Sequence, residues 1–163
     1  MKHFIYSVLF SIGLATGAAA CPDIQAYGET YRVTGKQLYS RVELPVVAGG
    51  DNWISQCRNV RPASDSSDWG EGAVATPPDF SIELSGMGGY KLSIGALTNV
   101  AGCDPILLIN TGSANFYYDD DDWGDGDAKI DLTRPSNGWL DIWVGTYGGA
   151  VCDAFLVLET FDR

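Results

Sequence analysis

Apolar and polar positions alternate along much of this chain with a period of two. Phe80, Ile82 and Leu84 alternate with Ser81 and Glu83, and Tyr90, Leu92 and Ile94 alternate with Lys91 and Ser93. Ala128, Ile130 and Leu132 alternate with Lys129 and Asp131, and Leu140, Ile142 and Val144 with Trp139, Asp141 and Trp143. Ala154, Leu156 and Leu158 form a last row of this kind. Such a period places one face of an extended strand against a core and the other toward water. No twelve-residue window carries apolar residues at i, i+3, i+4 and i+7, so helices are not expected.

Turn residues bound these rows. Gly88-Gly89 predicts a hairpin between the rows at 80–84 and 90–94, and Pro135-Ser136-Asn137-Gly138 and Gly148-Gly149 predict further turns. Residues 105–109 (PILLI) are uninterruptedly apolar, as in a strand covered on both faces. Phe116-Tyr117-Tyr118 is a short aromatic segment. The first half is less regular, with strand candidates at Tyr31 and Val33, at residues 38–47 and at Trp53-Ile54. Residues 62–78 are rich in Pro, Ser, Asp and Gly and read as a loop. Short strands at this spacing predict an all-β fold, an antiparallel β-sandwich or jelly roll, as one domain over residues 21–163.

The first twenty residues break the pattern. A short basic start, Met1-Lys2-His3, precedes an apolar run at residues 4–14 and then small residues ending Ala18-Ala19-Ala20 before Cys21. This is the layout of a secretory signal peptide with an A-x-A cleavage site. The run is too short for a membrane span. Lipoprotein processing at Cys21 is the competing reading. Ala18 fits such a site poorly, and acylating Cys21 would leave three other cysteines. Export places the chain in the periplasm or outside the cell.

Export changes the meaning of the four cysteines, Cys21, Cys57, Cys103 and Cys152. An even count in an oxidising compartment implies two disulfides. No C-x-x-C pair is present. Of the three pairings, Cys21–Cys57 with Cys103–Cys152 staples each half of the chain separately and is the expected one.

Composition then narrows the chemistry. The full chain carries 10 Lys+Arg, 21 Asp+Glu and one His, a net charge of −11. Loss of the leader removes Lys2 and His3 and leaves 143 residues at −12. So acidic a surface opposes binding to nucleic acid or to an anionic membrane. A mature chain without histidine has no Ser-His-Asp or Cys-His nucleophile and no imidazole proton shuttle. Carboxylate-run glycoside hydrolysis is the surviving enzyme class, with Asp141 as its one candidate, and a hard cation such as calcium is the surviving metal.

Two groups of residues are candidates for a site. Residues 119–131 (DDDDWGDGDAKID) hold seven of the 21 acids. Adjacent carboxylates repel, and a calcium ion held by some of Asp120, Asp121, Asp122, Asp125 and Asp127 would relieve them. The spacing is neither that of an EF-hand nor that of a β-roll repeat. The alternative is a solvated loop whose Asp side chains bond their own backbone. The second group is aromatic. Trp139, Trp143 and Tyr147 share one face of their strand with Asp141, and Trp123 lies in the acidic loop. Together they predict a ligand platform for a glycan or a cationic group. The alternative is that these rings pack beneath the first half of the chain.

The order of features over residues 79–161 resembles the bacterial pre-peptidase C-terminal domain, a secreted β-sandwich. The resemblance rests on Cys103-Asp104-Pro105-Ile106-Leu107-Leu108, on the acidic turn from Asp119 to Gly124, and on the stretch from Gly138 to Gly148. It covers about half of the chain and leaves out residues 21–78. It implies a β-sandwich with an accessory or binding role, calcium in some relatives, and no catalytic residues. The expected function is therefore an exported, non-catalytic module for a protein or glycan ligand. A structural component of the bacterial cell envelope is the alternative, and a glycosidase or protease inhibitor a lesser one.

Overall fold

The computed structural model describes residues 21–61, 70–124 and 126–163. The predicted leader, residues 62–69 of the predicted 62–78 loop and Asp125 lie outside them; the rest of that loop is described and contains a short strand at Ala73–Val74. Eleven strands form among the described residues: β1 (Glu29–Thr34), β2 (Val42–Ala48), β3 (Asn52–Trp53), β4 (Ala73–Val74), β5 (Phe80–Ser85), β6 (Tyr90–Leu97), β7 (Pro105–Asn110), β8 (Phe116–Asp119), β9 (Ala128–Leu132), β10 (Gly138–Thr146) and β11 (Cys152–Asp162). Only single 3-10 turns interrupt them.

The strands make two sheets. Sheet A has β10 at its centre, with β5 and then β1 on one side and β7 and then β8 on the other; β4 and β3 extend the β5 side past its end. Sheet B runs β2-β11-β6-β9 and is antiparallel throughout. One pair in sheet A departs from the antiparallel expectation, because β1 runs parallel to β5 from Glu29↔Phe80 to Thr34↔Ser85.

The predicted hairpin across Gly88-Gly89 does not form. β5 is flanked by β1 and β10 in sheet A, whereas β6 is flanked by β11 and β9 in sheet B. The turn carries the chain from one sheet to the other, with Gly86 in the left-handed region at φ 63°. Both strands still point their apolar rows inward, from opposite sides. From β5 onward every connection changes sheet except the β7–β8 hairpin. Greek-key and jelly-roll sandwiches are built from crossings of this kind.

The main core lies between the sheets. Ile82, Leu107, Ile109, Ile142 and Val144 of sheet A meet Leu92, Ile94, Leu156 and Leu158 of sheet B. A second layer covers the outer face of sheet A, where Ile106, Leu108, Phe116 and Trp143 pack under Ile54, Cys57, Val60 and Val74. Sheet A is thus buried on both faces, which explains the unbroken apolar run of β7. Disulfides join Cys21 to Cys57 and Cys103 to Cys152, the predicted pairing. The first ties the start of the described chain into the covering layer; the second ties the β6–β7 loop to the start of β11. Two disulfides fit an oxidising compartment, periplasmic or extracellular. No helix among the described residues is long and apolar enough to cross a membrane.

Candidate ligand groove

Among the described residues the outer face of sheet B, unlike that of sheet A, carries no second layer of strands. Its outward positions on the three strands β11, β6 and β9 form registered rows. Glu159 lies opposite Ser93, which lies opposite Asp131. One step along, Val157 lies opposite Gly95, and Gly95 opposite Lys129. Phe161 lies opposite Lys91 at the far end.

Trp123 lies across this face from the acidic loop. Its ring edge meets the sheet at Gly95, where any Cβ would collide with Cζ3 and Cε3 of the indole. A glycine inside a strand here answers to a close approach by another group. The Lys129 ammonium and the Arg41 guanidinium stand 5.4 and 5.7 Å from the ring centroid. Lys129 also pairs with Asp131 at 3.0 Å. Between Trp123 and Phe161 opens a groove of about 430 Å³, with Lys91, Ser93, Lys129, Asp131 and Glu159 along it. Phe161 is 47% exposed at its rim.

The acidic loop builds one wall of this groove. Asp119 Oδ2 accepts the backbone N–H groups of Lys129 (2.7 Å) and Asp122 (3.1 Å). Asp127 Oδ1 accepts the N–H of Thr98 at 2.9 Å. The Trp123 N–H donates to the Asp127 carbonyl, and the Asp127 N–H to the Gly124 carbonyl. Gly124 and Gly126, at φ 90° and 81°, take the left-handed conformations of this tight return. Burial pushes the Asp119 carboxyl up to about 6, against the lowering effect of its two N–H partners.

For Asp119 and Asp127 this is the loop of backbone-bonding Asp residues. Among the described residues no three acid side chains converge as a metal site would need. Of the predicted ligands, Asp127 is engaged with Thr98, and Asp125 lies outside the described residues. Burial and the nearby Asp121 both raise the Asp104 carboxyl.

The predicted aromatic platform does not assemble. Trp143 is fully buried in the outer layer of sheet A; its Nε1–H donates to the Thr76 carbonyl and its ring lies 6.4 Å from Phe116. Trp139 packs edge-on against Tyr27 at 5.5 Å. Tyr147 is exposed beside the Cys103–Cys152 disulfide. Trp139 and Tyr147 are separated by eight residues of extended chain, about 26 Å. The covering layer from the first half fills the space between them. Trp123 alone stands at an open groove, over the opposite sheet. Asp141 is also covered, at 8% exposure, and accepts the Ser81 hydroxyl at 2.6 Å; burial raises it against that bond. Its other strand neighbour is Asn110, whose Nδ2 is buried without a partner. A side chain so placed is not the cleft carboxylate a glycosidase needs.

The groove residues other than Trp123 were missed by the sequence reading. One signal for them was present: Gly95 interrupts an otherwise regular strand row, the mark of a close approach. Nothing local says that Trp123, 28 residues away, is what approaches it.

No family model and no curated protein matches this chain. A solved structure described as CorA, a surface-associated copper-binding protein important in copper acquisition by Methylomicrobium album BG8, aligns with 85% of this chain and 100% of its own. The TM-score is 0.44 and the identity 13%. Neither figure is high enough to carry function across.

Proposed function

We propose that this protein is an exported, non-catalytic binding module that takes its ligand in the Trp123 groove of sheet B. The observation that carries the reading is the build of the groove. An indole is held in place by Gly95, Lys129 and Arg41 over a sheet face that no second layer covers among the described residues. Ligand sites are typically concavities of roughly 300–1,000 Å³ with a few placed polar groups, and this groove falls in that range. The leader pattern, the two disulfides and the pre-peptidase-like order of features support export and an accessory role.

The test is capture from an envelope extract by the tag-free exported protein and by Trp123→Ala. Loss of capture with an unchanged melting temperature supports the groove. Equal capture by both proteins rejects it. A second reading, an interaction component of the envelope, draws on a neighbouring apolar ledge where Pro45, Val47 and Phe155 are exposed. It predicts that Phe155→Ala, not Trp123→Ala, abolishes capture.

A further inference from the structure

We propose that the groove binds a neutral, hydroxyl-rich carbohydrate, with Ser93 reading a sugar hydroxyl at its floor. This rests on the groove being the ligand site and goes further by naming the ligand's chemistry.

Ser93 is the first observation. It is only 7% exposed, it lines the groove, and its hydroxyl has no hydrogen-bond partner among the described residues. Its hydroxyl therefore faces the groove uncommitted to any neighbour and is free to bond a ligand hydroxyl. Directly opposite neighbours in a sheet have Cβ atoms about 4.5–5.5 Å apart. Glu159 and Asp131 therefore flank Ser93 on either side, each a carboxylate acceptor.

Charge is the second. Lys91 and Lys129 cancel Asp131 and Glu159, so a protein of net charge −11 carries a groove that sums to zero. No single sign of charge is concentrated in the lining to hold a charged ligand. Donors and acceptors instead alternate, from Lys91 and Lys129 to Glu159 and Asp131, with Ser93 able to act as either. Sugar hydroxyls, which both donate and accept, match that arrangement. Aromatic rings at both ends, Trp123 and Phe161, suit the apolar C–H faces of pyranose rings.

Size and lining decide against the other classes. Four of the nine lining residues are charged, and a lipid chain would desolvate them. The groove is a concavity rather than the broad patch, roughly 800 Å² per partner, of a protein interface.

The experiment is calorimetric titration of the exported protein with neutral gluco-, xylo- and N-acetylglucosamine oligosaccharides, with uronate and sulfated oligosaccharides, and with short peptides. The expected result is binding of at least one neutral series, with affinity almost unchanged between 50 and 500 mM NaCl. Ser93→Ala should weaken it about tenfold, one lost hydrogen bond's worth. Glu159→Gln, on a half-buried side chain of the groove, should also weaken it. Both variants should keep the wild-type melting temperature. Binding only of charged glycans or peptides, sensitive to Trp123→Ala, would overturn the carbohydrate assignment and leave the groove as the site. Neutral-sugar binding indifferent to Ser93, Glu159 and Trp123 would overturn both. Failure of every neutral series at millimolar concentration would overturn the assignment alone.

Discussion

Trp143 and Trp123 show how two similar residues acquire opposite roles. Both follow an acidic residue or lie near one, and either could be read as a platform ring. Trp143 sits on β10, at the centre of sheet A, and the layer carrying Ile54 and Val60 covers it. Trp143→Ala is expected to cost about 3–5 kcal/mol of stability, the usual loss for a large buried aromatic, with groove binding by the folded fraction unchanged. Chemical denaturation beside a binding titration measures both. Asp79 offers a second test. Its Oδ2 accepts the Val144 N–H at 2.7 Å, but burial outweighs that bond and lifts the carboxyl to about 6. The unfolded carboxyl titrates near 3.9. The native state therefore holds more protons between these values, and stability falls as pH rises from about 4 to 6 and stays lower above. Asp119 acts in the same direction. Asp79→Asn keeps an acceptor for Val144 and carries no charge. It should melt higher than wild type at pH 7.5 and show a shallower fall between pH 4 and 6. An equal or lower melting temperature at pH 7.5 would refute this. The sequence offered burial beneath the first half as one of two readings of Trp143, because a period of two assigns a residue to a face without saying what covers it; the setting of Asp79 was not legible.

At the scale of elements, strands were easier to read than their partners. The rows at 80–84, 90–94, 128–132, 140–144 and 154–158 all lie in strands, and the apolar run of β7 is buried along its length. The pairing of β5 with β6 failed because the turn at Gly88-Gly89 is compatible with either a hairpin or a crossing. Which one forms depends on strands distant in sequence, β10 and β11, that occupy the hydrogen-bonding edges. The acidic segment was likewise visible as a feature but not as a device. Its Asp119 and Asp127 bonds deliver Trp123 to sheet B, and Gly95 leaves the space to receive it. Gly95→Val should push the indole off the sheet. The expected outcome is a changed tryptophan emission spectrum and at least tenfold weaker groove binding. Val157→Ala, one strand away in the same row, serves as the packing control. An unchanged emission spectrum in Gly95→Val would mean that the ring does not rest there. Pro45 marks another element-scale choice. β2 is an outer strand of sheet B, and a proline there lacks the N–H that an adding strand would need.

Across the whole molecule the two sheets differ in cover: among the described residues sheet A is sealed on both sides, and sheet B is left open on one. The disulfides follow that division. Cys21–Cys57 closes a separation of 36 residues and anchors the layer over Trp143, with Cys57 itself buried beside Ile54 and Val60. Cys103–Cys152 closes a separation of 49 residues and joins the β6–β7 loop to β11. Chain entropy alone assigns each about 4 kcal/mol, so global stability barely distinguishes them. Their local consequences differ. Replacing both Cys21 and Cys57 by Ser should loosen the covering layer first. Amide hydrogen exchange should then rise at residues 54–60 and 73–76 before the β6 and β11 amides respond. Groove binding should hold within about twofold, because no residue of that layer lines the groove. Replacing Cys103 and Cys152 should instead free the start of β11, the strand that carries Glu159 and Phe161, and weaken binding along with stability. If the first pair's loss abolished groove binding while the second's spared it, sheet B would not be the ligand face, and the sealed and open sides would have to be reassigned.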